Sequence, residues 1–239
     1  MKLEICANSL VSALAAQNGG AQRIELCENL NEGGTTPSYG TIKKAREQLT
    51  IKVYVLIRPR AGDFHYSDEE FRIMKEDILI CKHLGCDGVV IGLLDVDGNI
   101  DVLRTQELVK LASPMGVTFH RAFDSCNDGI KALEEIIACG CERILTSGMK
   151  NTALEGAAFL GELVQRAGDR IIIMPGSGVN ELNIEGLITQ TGAREYHTSA
   201  KAPVGSKMKY HNPAIQNMGE VIEVSNAEKI RRIIELMNS

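Results

Sequence analysis

Short apolar runs alternate with longer amphipathic segments along the whole chain, and this alternation limits the possible folds more than any other feature. The runs are rich in Val and Ile, and each is followed by a segment whose apolar residues have helical spacing. The eight predicted strands are 3–7, 23–27, 52–58, 88–94, 117–123, 143–147, 170–174 and 195–199. Eight strand–helix units in one chain are typical of a (β/α)₈ TIM barrel. A doubly wound open sheet is the alternative, but it normally uses fewer units and often a G-x-G-x-x-G first turn, which this sequence lacks.

A repeated turn supports the barrel. A glycine, a small residue and a polar residue precede four of the predicted strands, as Gly20-Ala21-Gln22, Gly85-Cys86-Asp87, Gly140-Cys141-Glu142 and Gly192-Ala193-Arg194. Glycine suits the left-handed residue that ends a helix. Ser67 and Glu70 form a capping box at the start of the third predicted helix. Since the sequence contains no linker, we predict one domain over 1–239, with an irregular segment at about 202–224 before the last helix.

The composition excludes several functional classes. The chain has 26 Lys and Arg against 31 Asp and Glu, a net charge of −5, so it has no general attraction for nucleic acid or for an anionic membrane. No apolar stretch approaches the ~18 residues that cross a bilayer, and Glu4 interrupts the run that a signal peptide needs. The seven cysteines lack the spacing of a disulfide scaffold and contain no C-x-x-C zinc pair. We therefore expect a cytoplasmic protein with reduced thiols.

Two predicted strands carry polar groups on the face that should point into the barrel. The first and second strands share the motif Glu-apolar-Cys-x-Asn. Because side chains alternate along a strand, Glu4 and Cys6 share one parity, and Glu25 and Cys27 share the same one. A buried carboxylate without a partner is costly, so these strands require polar partners elsewhere in the barrel.

The candidate partners lie near the C-terminal ends of other strands, where barrel active sites form. The resulting candidate catalytic residues are Glu4, Glu25, Arg58, His120 and His197. A network that only neutralises its own charges is the alternative interpretation. No lysine occupies an inward strand position, which argues against a Schiff-base aldolase.

The cysteines fall into different groups. Cys6 and Cys27 occupy the same motif on adjacent strands, which lie about 4.8 Å apart, so their thiols are close enough to bridge one two-coordinate soft ion. Thiolates select Cu(I) over hard cations. Cys86 and Cys141 replace the alanine of the repeated turn, and we interpret them as packing residues. The role of Cys126 is open.

A glycine-rich turn follows the seventh predicted strand. Glycine-rich turns at a helix N-terminus present N–H groups to anions, and the loops after strands seven and eight form the usual phosphate site of a barrel. Gly176, Ser177 and Gly178, together with Ser199 on the eighth predicted strand, therefore form a candidate anion-binding corner. An ordinary tight turn is the alternative.

Several motifs together resemble the CutC copper homeostasis family. They are Arg23-Ile-Glu-Leu-Cys27 with Glu32-Gly-Gly-Thr-Thr-Pro37, Ile57-Arg-Pro-Arg60 with Gly62-Asp63-Phe64, Val117-Thr-Phe-His-Arg-Ala-Phe-Asp124, Leu145-Thr-Ser-Gly148 and Met174-Pro-Gly176. The resemblance runs in collinear order from Met1 to about Asn217. It implies a cytoplasmic TIM barrel with a role in copper tolerance. It further implies Cu(I) binding through Cys6 and Cys27 and a homo-oligomer, either a dimer or a tetramer.

Two functions from different classes are consistent with these residues. The first is a copper homeostasis protein that binds Cu(I) at the barrel mouth, with His120 or His197 as further donors, and the resemblance favours it. The second is an enzyme for a small anionic or phosphorylated metabolite. In that enzyme the glycine-rich turn holds the anion, Arg58 binds the substrate, and Glu25 or His120 moves protons.

Overall fold

Eight parallel strands form one sheet that is rolled into a nearly closed barrel. The computed structural model describes residues 1–210, 212, 214 and 221–239. The barrel strands are β1 (Lys2–Ala7), β2 (Arg23–Leu26), β3 (Lys52–Leu56), β4 (Gly88–Ile91), β5 (Gly116–Phe119), β6 (Arg143–Thr146), β7 (Ile172–Pro175) and β8 (Glu195–Thr198). Their order is β7-β6-β5-β4-β3-β2-β1-β8, and β7 packs against β8 where the sheet closes. The predicted TIM barrel is confirmed.

Helices surround this sheet. Among the described residues they are α1 (Leu10–Asn18), α2 (Tyr39–Gln48), α3 (Asp68–His83), α4 (Val102–Ala112), α5 (Gly129–Cys139), α6 (Ala157–Ala167), α7 (Ile184–Thr191) and α8 (Ala227–Met237), with 3₁₀ segments at Leu30–Glu32 and Arg121–Ser125. The outward side chains of the strands and the inner faces of the helices form one apolar core. None of the helices in the described part of the chain is both long and apolar enough to span a membrane.

The local signals read from the sequence are confirmed. The four glycines of the repeated turn have φ between 66° and 90°, which is the left-handed region that glycine tolerates. The Ser67 side chain accepts from the backbone N–H of Glu70, whose own side chain accepts from the N–H of Ser67. These turns fix where each helix stops and where the next strand enters the sheet.

Three strands end two to four residues earlier than predicted. The predicted strands 52–58, 88–94 and 117–123 stop at Leu56, Ile91 and Phe119. The apolar pattern continues beyond each strand because Ile57, Leu93 and Phe123 are fully buried in the loops that follow. As a result Arg58 and His120 lie in loops above the barrel rather than on strands.

The sequence predicts an irregular segment at about 202–224, but part of this segment is regular. Two short strands, β9 (Lys201–Gly205) and β10 (Val221–Ser225), pair antiparallel, while part of the segment between them lies outside the described residues. Pro203 argues against a strand in sequence, but an edge strand tolerates it. The Ser225 N–H donates to Ser12 Oγ at 3.1 Å, and Asn8 Nδ2 donates to the carbonyl of Glu223 at 3.1 Å. These bonds hold the hairpin beside the end of β1.

A separate, smaller apolar cluster lies inside the barrel around Tyr54. The Tyr54 hydroxyl donates to Glu142 at 2.6 Å, and its ring lies against the guanidinium groups of Arg23 and Arg143. Gly88 faces this ring from β4, and a Cβ there would lie 2.2–2.4 Å from the ring atoms. The tyrosine therefore fills the interior only because its neighbour lacks a side chain.

The substitution Gly88→Ala tests this packing. It should destabilise the fold by about 1–3 kcal/mol or more, because overpacking a filled core forces side chains off their preferred rotamers. Urea unfolding followed by circular dichroism measures the loss. Gly186→Ala, in helix α7, is the matched control, because a Cβ added there would lie 3.7 Å from the nearest atom. This substitution should be neutral or slightly stabilising. Equal effects of the two substitutions would contradict the packing argument.

Candidate functional site

A cavity of about 460 Å³ opens at the C-terminal end of the barrel. Most of the site residues predicted from the sequence line it, namely Cys6, Glu25, Arg58, His120, Ser177, Gly178, His197 and Ser199. Glu4, Cys27 and Gly176 are buried behind this lining. The volume lies in the range of about 300–1,000 Å³ that is typical of pockets for small organic ligands.

Two thiols meet at the cavity wall. Cys6 on β1 and Cys27, just after β2, place their sulfur atoms 3.5 Å apart. The hydrogen bond with Cys27, burial, and the nearby Glu25 carboxylate together raise the pKa of the Cys6 thiol. Cys6 is therefore protonated at neutral pH, and its proton must leave when a soft metal ion binds.

Cys6 belongs to a cluster with Glu25 and His197. One ligand atom from each of the three side chains lies within 4.8 Å of the others. His197 Nε2 is 3.6 Å from Glu25 Oε2. Burial raises the pKa of Glu25 above its ordinary value. Sulfur, oxygen and nitrogen donors thus converge on one point of the cavity wall.

A buried network of charges lies beneath this cluster. Glu4 Oε1 accepts a hydrogen bond from His197 Nδ1 at 2.7 Å, and the other Glu4 oxygen is paired with Arg23. Arg23 also pairs with Glu195 at 2.7 Å, and Arg143 pairs with the same Glu195 oxygen at 2.7 Å. The arginines and carboxylates alternate, so each buried charge has a partner of opposite sign.

The network fixes the ionisation of its members. Burial acts to raise the pKa of Glu4, but Arg23 and His197 hold it well below the usual range. Glu195 behaves similarly: Arg143 and Arg23 overcome the effect of burial and lower its pKa. For His197, burial acts to lower the pKa, but Glu4 and the Glu25 charge raise it overall. The anionic Glu4 therefore orients the His197 ring and stabilises its protonated form.

Arg58 was expected to neutralise the inward carboxylates, and the structure gives it other partners. Its guanidinium donates to the carbonyl oxygens of Glu32 at 2.9 Å, Gly34 at 2.5 Å and Gly62 at 2.8 Å. Among the described residues it forms no ion pair. Arg58 thus joins two loops at the barrel mouth and keeps an uncompensated positive charge beside the cavity.

Arg23 and Arg143, which the sequence reasoning missed, are the partners of the buried carboxylates. Arg23 has the same strand parity as Glu25, so extending the alternation two residues towards the start of β2 would have found it. Arg143 opens β6 and was read only as the first residue of a predicted strand. Its pairing with Glu195 could not be predicted, because β6 and β8 are far apart along the chain.

His120 follows β5 and begins the 3₁₀ segment. The backbone N–H of Ala122 donates to His120 Nδ1 at 3.0 Å. Burial and the Arg58 charge lower the pKa of His120 to about 3, so the ring is neutral. With Nδ1 acting as the acceptor, the proton lies on Nε2, which is buried and has no partner among the described residues.

The predicted anion corner has open donors. Within the described part of the chain, the backbone N–H groups of Ser177, Gly178, Val179 and Ser199 donate to no protein acceptor. All four residues line the cavity. The N–H of Gly176, in contrast, donates to the carbonyl of Thr146 at 3.0 Å. Three residues of the predicted corner therefore present N–H groups, and Gly176 does not.

These N–H groups belong to a turn rather than to a helix end. Helix α7 begins only at Ile184, and the Asn183 side chain accepts from the N–H of Asn180. Ser177 and Gly178 both have left-handed φ, 75° and 74°. The expected helix N-terminus does not contribute, and the anion corner depends on the two loops alone.

The remaining cysteines lie away from the cavity lining. Cys126 ends the 3₁₀ segment, where its N–H donates to the carbonyl of Phe123 at 3.2 Å, and burial raises the pKa of its thiol to about 11. Cys86 and Cys141 are buried in their turns, as the packing interpretation predicts.

Known proteins resemble this chain over most of its length. The profile of the CutC family matches residues 1–202. A CutC family protein of Chromobacterium violaceum is 54% identical over 213 residues, which are 89% of this chain and 86% of the relative. One from Bacteroides thetaiotaomicron is 50% identical over 229 residues, 95% of this chain and 92% of the relative.

Solved structures share the fold. The putative copper homeostasis protein CutC of Streptococcus agalactiae superposes with a TM-score of 0.79 at 38% identity, covering 83% of this chain and 98% of that one. Phosphoribosylanthranilate isomerase of Thermotoga maritima superposes with a TM-score of 0.59 at 13% identity, covering 100% of this chain and 98% of that one. The second likeness concerns the barrel fold alone.

The substitution Arg23→Met tests the buried network. It leaves buried carboxylates short of a partner and should cost about 3–5 kcal/mol at pH 7. In the native chain the lowered pKa values of Glu4 and Glu195 give stability that is full above about 4.3, the unfolded value, and is lost as the pH falls through the folded values. In the variant these pKa values rise, and protonation relieves the unpaired carboxylates. The difference in free energy of unfolding between the native chain and Arg23→Met should therefore become smaller as the pH falls from 7 to 4.

Urea unfolding across this pH range measures the effect. Arg170→Met, which breaks the half-exposed pair with Glu134, is the control and should cost less than about 1 kcal/mol. A difference between Arg23→Met and the native chain that does not change with pH would show that the network acts through packing and not through charge.

Proposed function

The chain belongs to the CutC family, and on this basis we propose that it is a copper homeostasis protein that binds Cu(I) through Cys6 and Cys27 at the barrel mouth. The 3.5 Å separation of the two sulfur atoms is the observation that carries the proposal. Two thiolates this close suit a soft, low-coordinate ion and exclude hard cations such as Mg²⁺. The related Streptococcus agalactiae protein bears the name of a putative copper homeostasis protein.

The residues around the two thiols are suited to binding Cu(I). Cys6 lines the cavity and offers an ion a route to the more deeply buried Cys27. His197 is a candidate third donor, because the carboxylate of Glu4 holds its ring through Nδ1 and leaves Nε2 towards Glu25. Carboxylate-oriented imidazoles are common metal ligands. Since the bound form of cysteine is the thiolate, Cu(I) binding releases protons and strengthens as the pH rises.

We also propose a cytoplasmic setting and a homo-oligomer. All seven cysteines are free thiols, which supports a reducing compartment. The β9–β10 hairpin exposes the apolar side chains of Val204, Val221 and Ile222. Assembly into a dimer or tetramer through this hairpin would cover them.

A second candidate function is an enzyme that acts on a small anionic or phosphorylated metabolite. The specific observation in its favour is the cavity, which is far larger than a metal ion requires. Four of its lining residues have backbone N–H groups without an acceptor in the described part of the chain. Its charged lining consists of Arg58, Arg121, Lys201 and Lys229 against Glu25 and Glu181. Arg121 and Lys201 are paired with Asp124 and Glu223 outside the lining. Arg58 and Lys229 form no ion pair among the described residues, and their positive charge favours an anionic ligand.

The same cavity contains groups able to move protons. Glu25 has a raised pKa and its Oε2 lies 3.6 Å from His197 Nε2, so the two side chains are placed to exchange a proton. The proposed division of roles is that Ser177, Gly178 and Ser199 hold the anion while Glu25 acts as acid or base.

The double substitution Cys6→Ser with Cys27→Ser tests the copper proposal. Under reducing conditions the native chain should hold one Cu(I) in competition with a chromophoric chelator, and the variant should lose this ion because hydroxyls bind Cu(I) poorly. Cys86→Ala with Cys141→Ala is the control and should bind as the native chain does. Full Cu(I) binding by the Cys6/Cys27 variant, with its fold confirmed by circular dichroism, would refute the proposal.

The anion proposal is tested with inorganic phosphate and two variants of one residue. Phosphate at about 100 times its dissociation constant should stabilise the native chain by roughly 2.7 kcal/mol, an effect that weakens as salt rises. Ser199→Glu places a carboxylate at the corner and should abolish the shift in melting temperature. Ser199→Gln has the same shape without the charge and should keep it. A shift of equal size in both variants would place the phosphate elsewhere.

A further inference from the structure

Two buried N–H donors beside the cavity have no acceptor. Among the described residues, Arg58 Nε and His120 Nε2 make no hydrogen bond and are inaccessible to solvent. Both side chains line the cavity, and both pack against the ring of Phe64, at 5.2 Å for the guanidinium and 5.1 Å between ring centroids. Buried donors without partners are rare because each costs free energy. The Tyr66 hydroxyl, which lies close to Arg58 and has one O–H to donate, is likewise buried and without a partner among the described residues. Buried donors grouped in this way indicate an acceptor that completes the site.

The direction of the His120 donor is fixed. The Ala122 N–H occupies Nδ1 and thereby sets the tautomer, with the proton on Nε2. Gly92 packs against the Nδ1 and Cε1 edge, where a Cβ would lie 2.3–2.4 Å from the ring. Nε2 lies further from Gly92 than these two ring atoms. The His120 ring is held between Gly92 and the Ala122 N–H, and its Nε2–H is a neutral donor.

The two donors differ in charge but suit one acceptor. Arg58 already gives its terminal nitrogens to loop carbonyls. Within the described ranges its positive charge has no counterion and its Nε has no acceptor. A carboxylate supplies both the negative charge and the oxygen atoms. A cation finds no lone pair at this position, because both nitrogens carry protons.

We propose that Arg58 and His120 form a carboxylate subsite, and that the ligand of the cavity is a small carboxylate whose second anionic group lies at the Ser177, Gly178 and Ser199 corner. This inference rests on the second proposed function, the binding of a small anion, and names its class as an organic dianion such as a phosphorylated carboxylic acid. The Phe64 side chain is half-buried, and the carboxylate reaches the two nitrogens by displacing its ring.

Calorimetry with a matched series of compounds tests the proposal. Carboxyalkyl phosphates with one to four methylene groups are each compared with the alkyl phosphate of the same length. On the native chain at least one carboxyalkyl phosphate should bind about ten-fold or more tightly than its partner, the effect of one hydrogen bond to a charged group. In His120→Leu this preference should shrink towards unity while the alkyl phosphates bind as before. In His120→Gln, which keeps an N–H donor, most of the preference should remain.

A second readout on the native chain keeps the test independent of how the variants fold. In ¹⁵N NMR of histidine-labelled protein, the His120 Nε2–H resonance should shift with the preferred carboxyalkyl phosphate and not with its alkyl partner. If no phosphate compound binds the native chain, the anion function itself fails. If both classes bind equally, or the preference survives in His120→Leu, the anion corner stands and the carboxylate subsite is wrong. An ordered water that stays bonded to both nitrogens in the bound complex would also overturn it.

Discussion

The pairing of Arg23 with Glu4 and Glu195 is the interaction on which the rest of the barrel interior depends. A buried ion pair is tolerated only when every member is satisfied, and the loss of one partner leaves a charge in a medium of low polarity. Here the alternation of Arg143, Glu195, Arg23 and Glu4 satisfies each member in turn. Glu4, the last carboxylate of this series, accepts a hydrogen bond from His197 in the wall of the cavity. The buried network therefore also stabilises the charge of His197. The orientation of the His197 ring at the site thus follows from how the buried charges of the barrel interior are paired.

The cavity combines two kinds of chemistry that come from different parts of the barrel. The thiols at the ends of β1 and β2 suit a soft cation. The open N–H groups after β7 and β8, together with Arg58 and His120, suit oxyanions. Neither set explains the other, since a copper ion does not need a cavity of about 460 Å³ and an organic anion does not need paired thiols. The family relationship favours the copper role, and the shape of the cavity favours an organic ligand.

Much of the fold and part of the site could be predicted from the sequence, for physical reasons that differ between residues. Period-two alternation and glycine-ended helices identify eight strands because both follow from local geometry. Strand parity places Cys6 and Cys27 on the inward face of adjacent strands. Their 3.5 Å contact also depends on the register, which sets Cys6 beside Glu25 and therefore one inward position from Cys27. The role of Arg58 could not be read in this way, because its carbonyl partners depend on how two loops fold. The same holds for His120, whose tautomer is set by a backbone N–H two residues ahead.

The central claim is that a single Cu(I) ion is held between the thiolates of Cys6 and Cys27. X-ray absorption at the copper edge, on the native chain loaded with one equivalent of Cu(I) under reducing conditions, addresses it directly. We expect sulfur atoms from both thiolates to be bonded to the metal, with at most one nitrogen beside them. A spectrum with only nitrogen and oxygen neighbours would contradict the claim and leave the organic anion as the ligand for which this cavity is built.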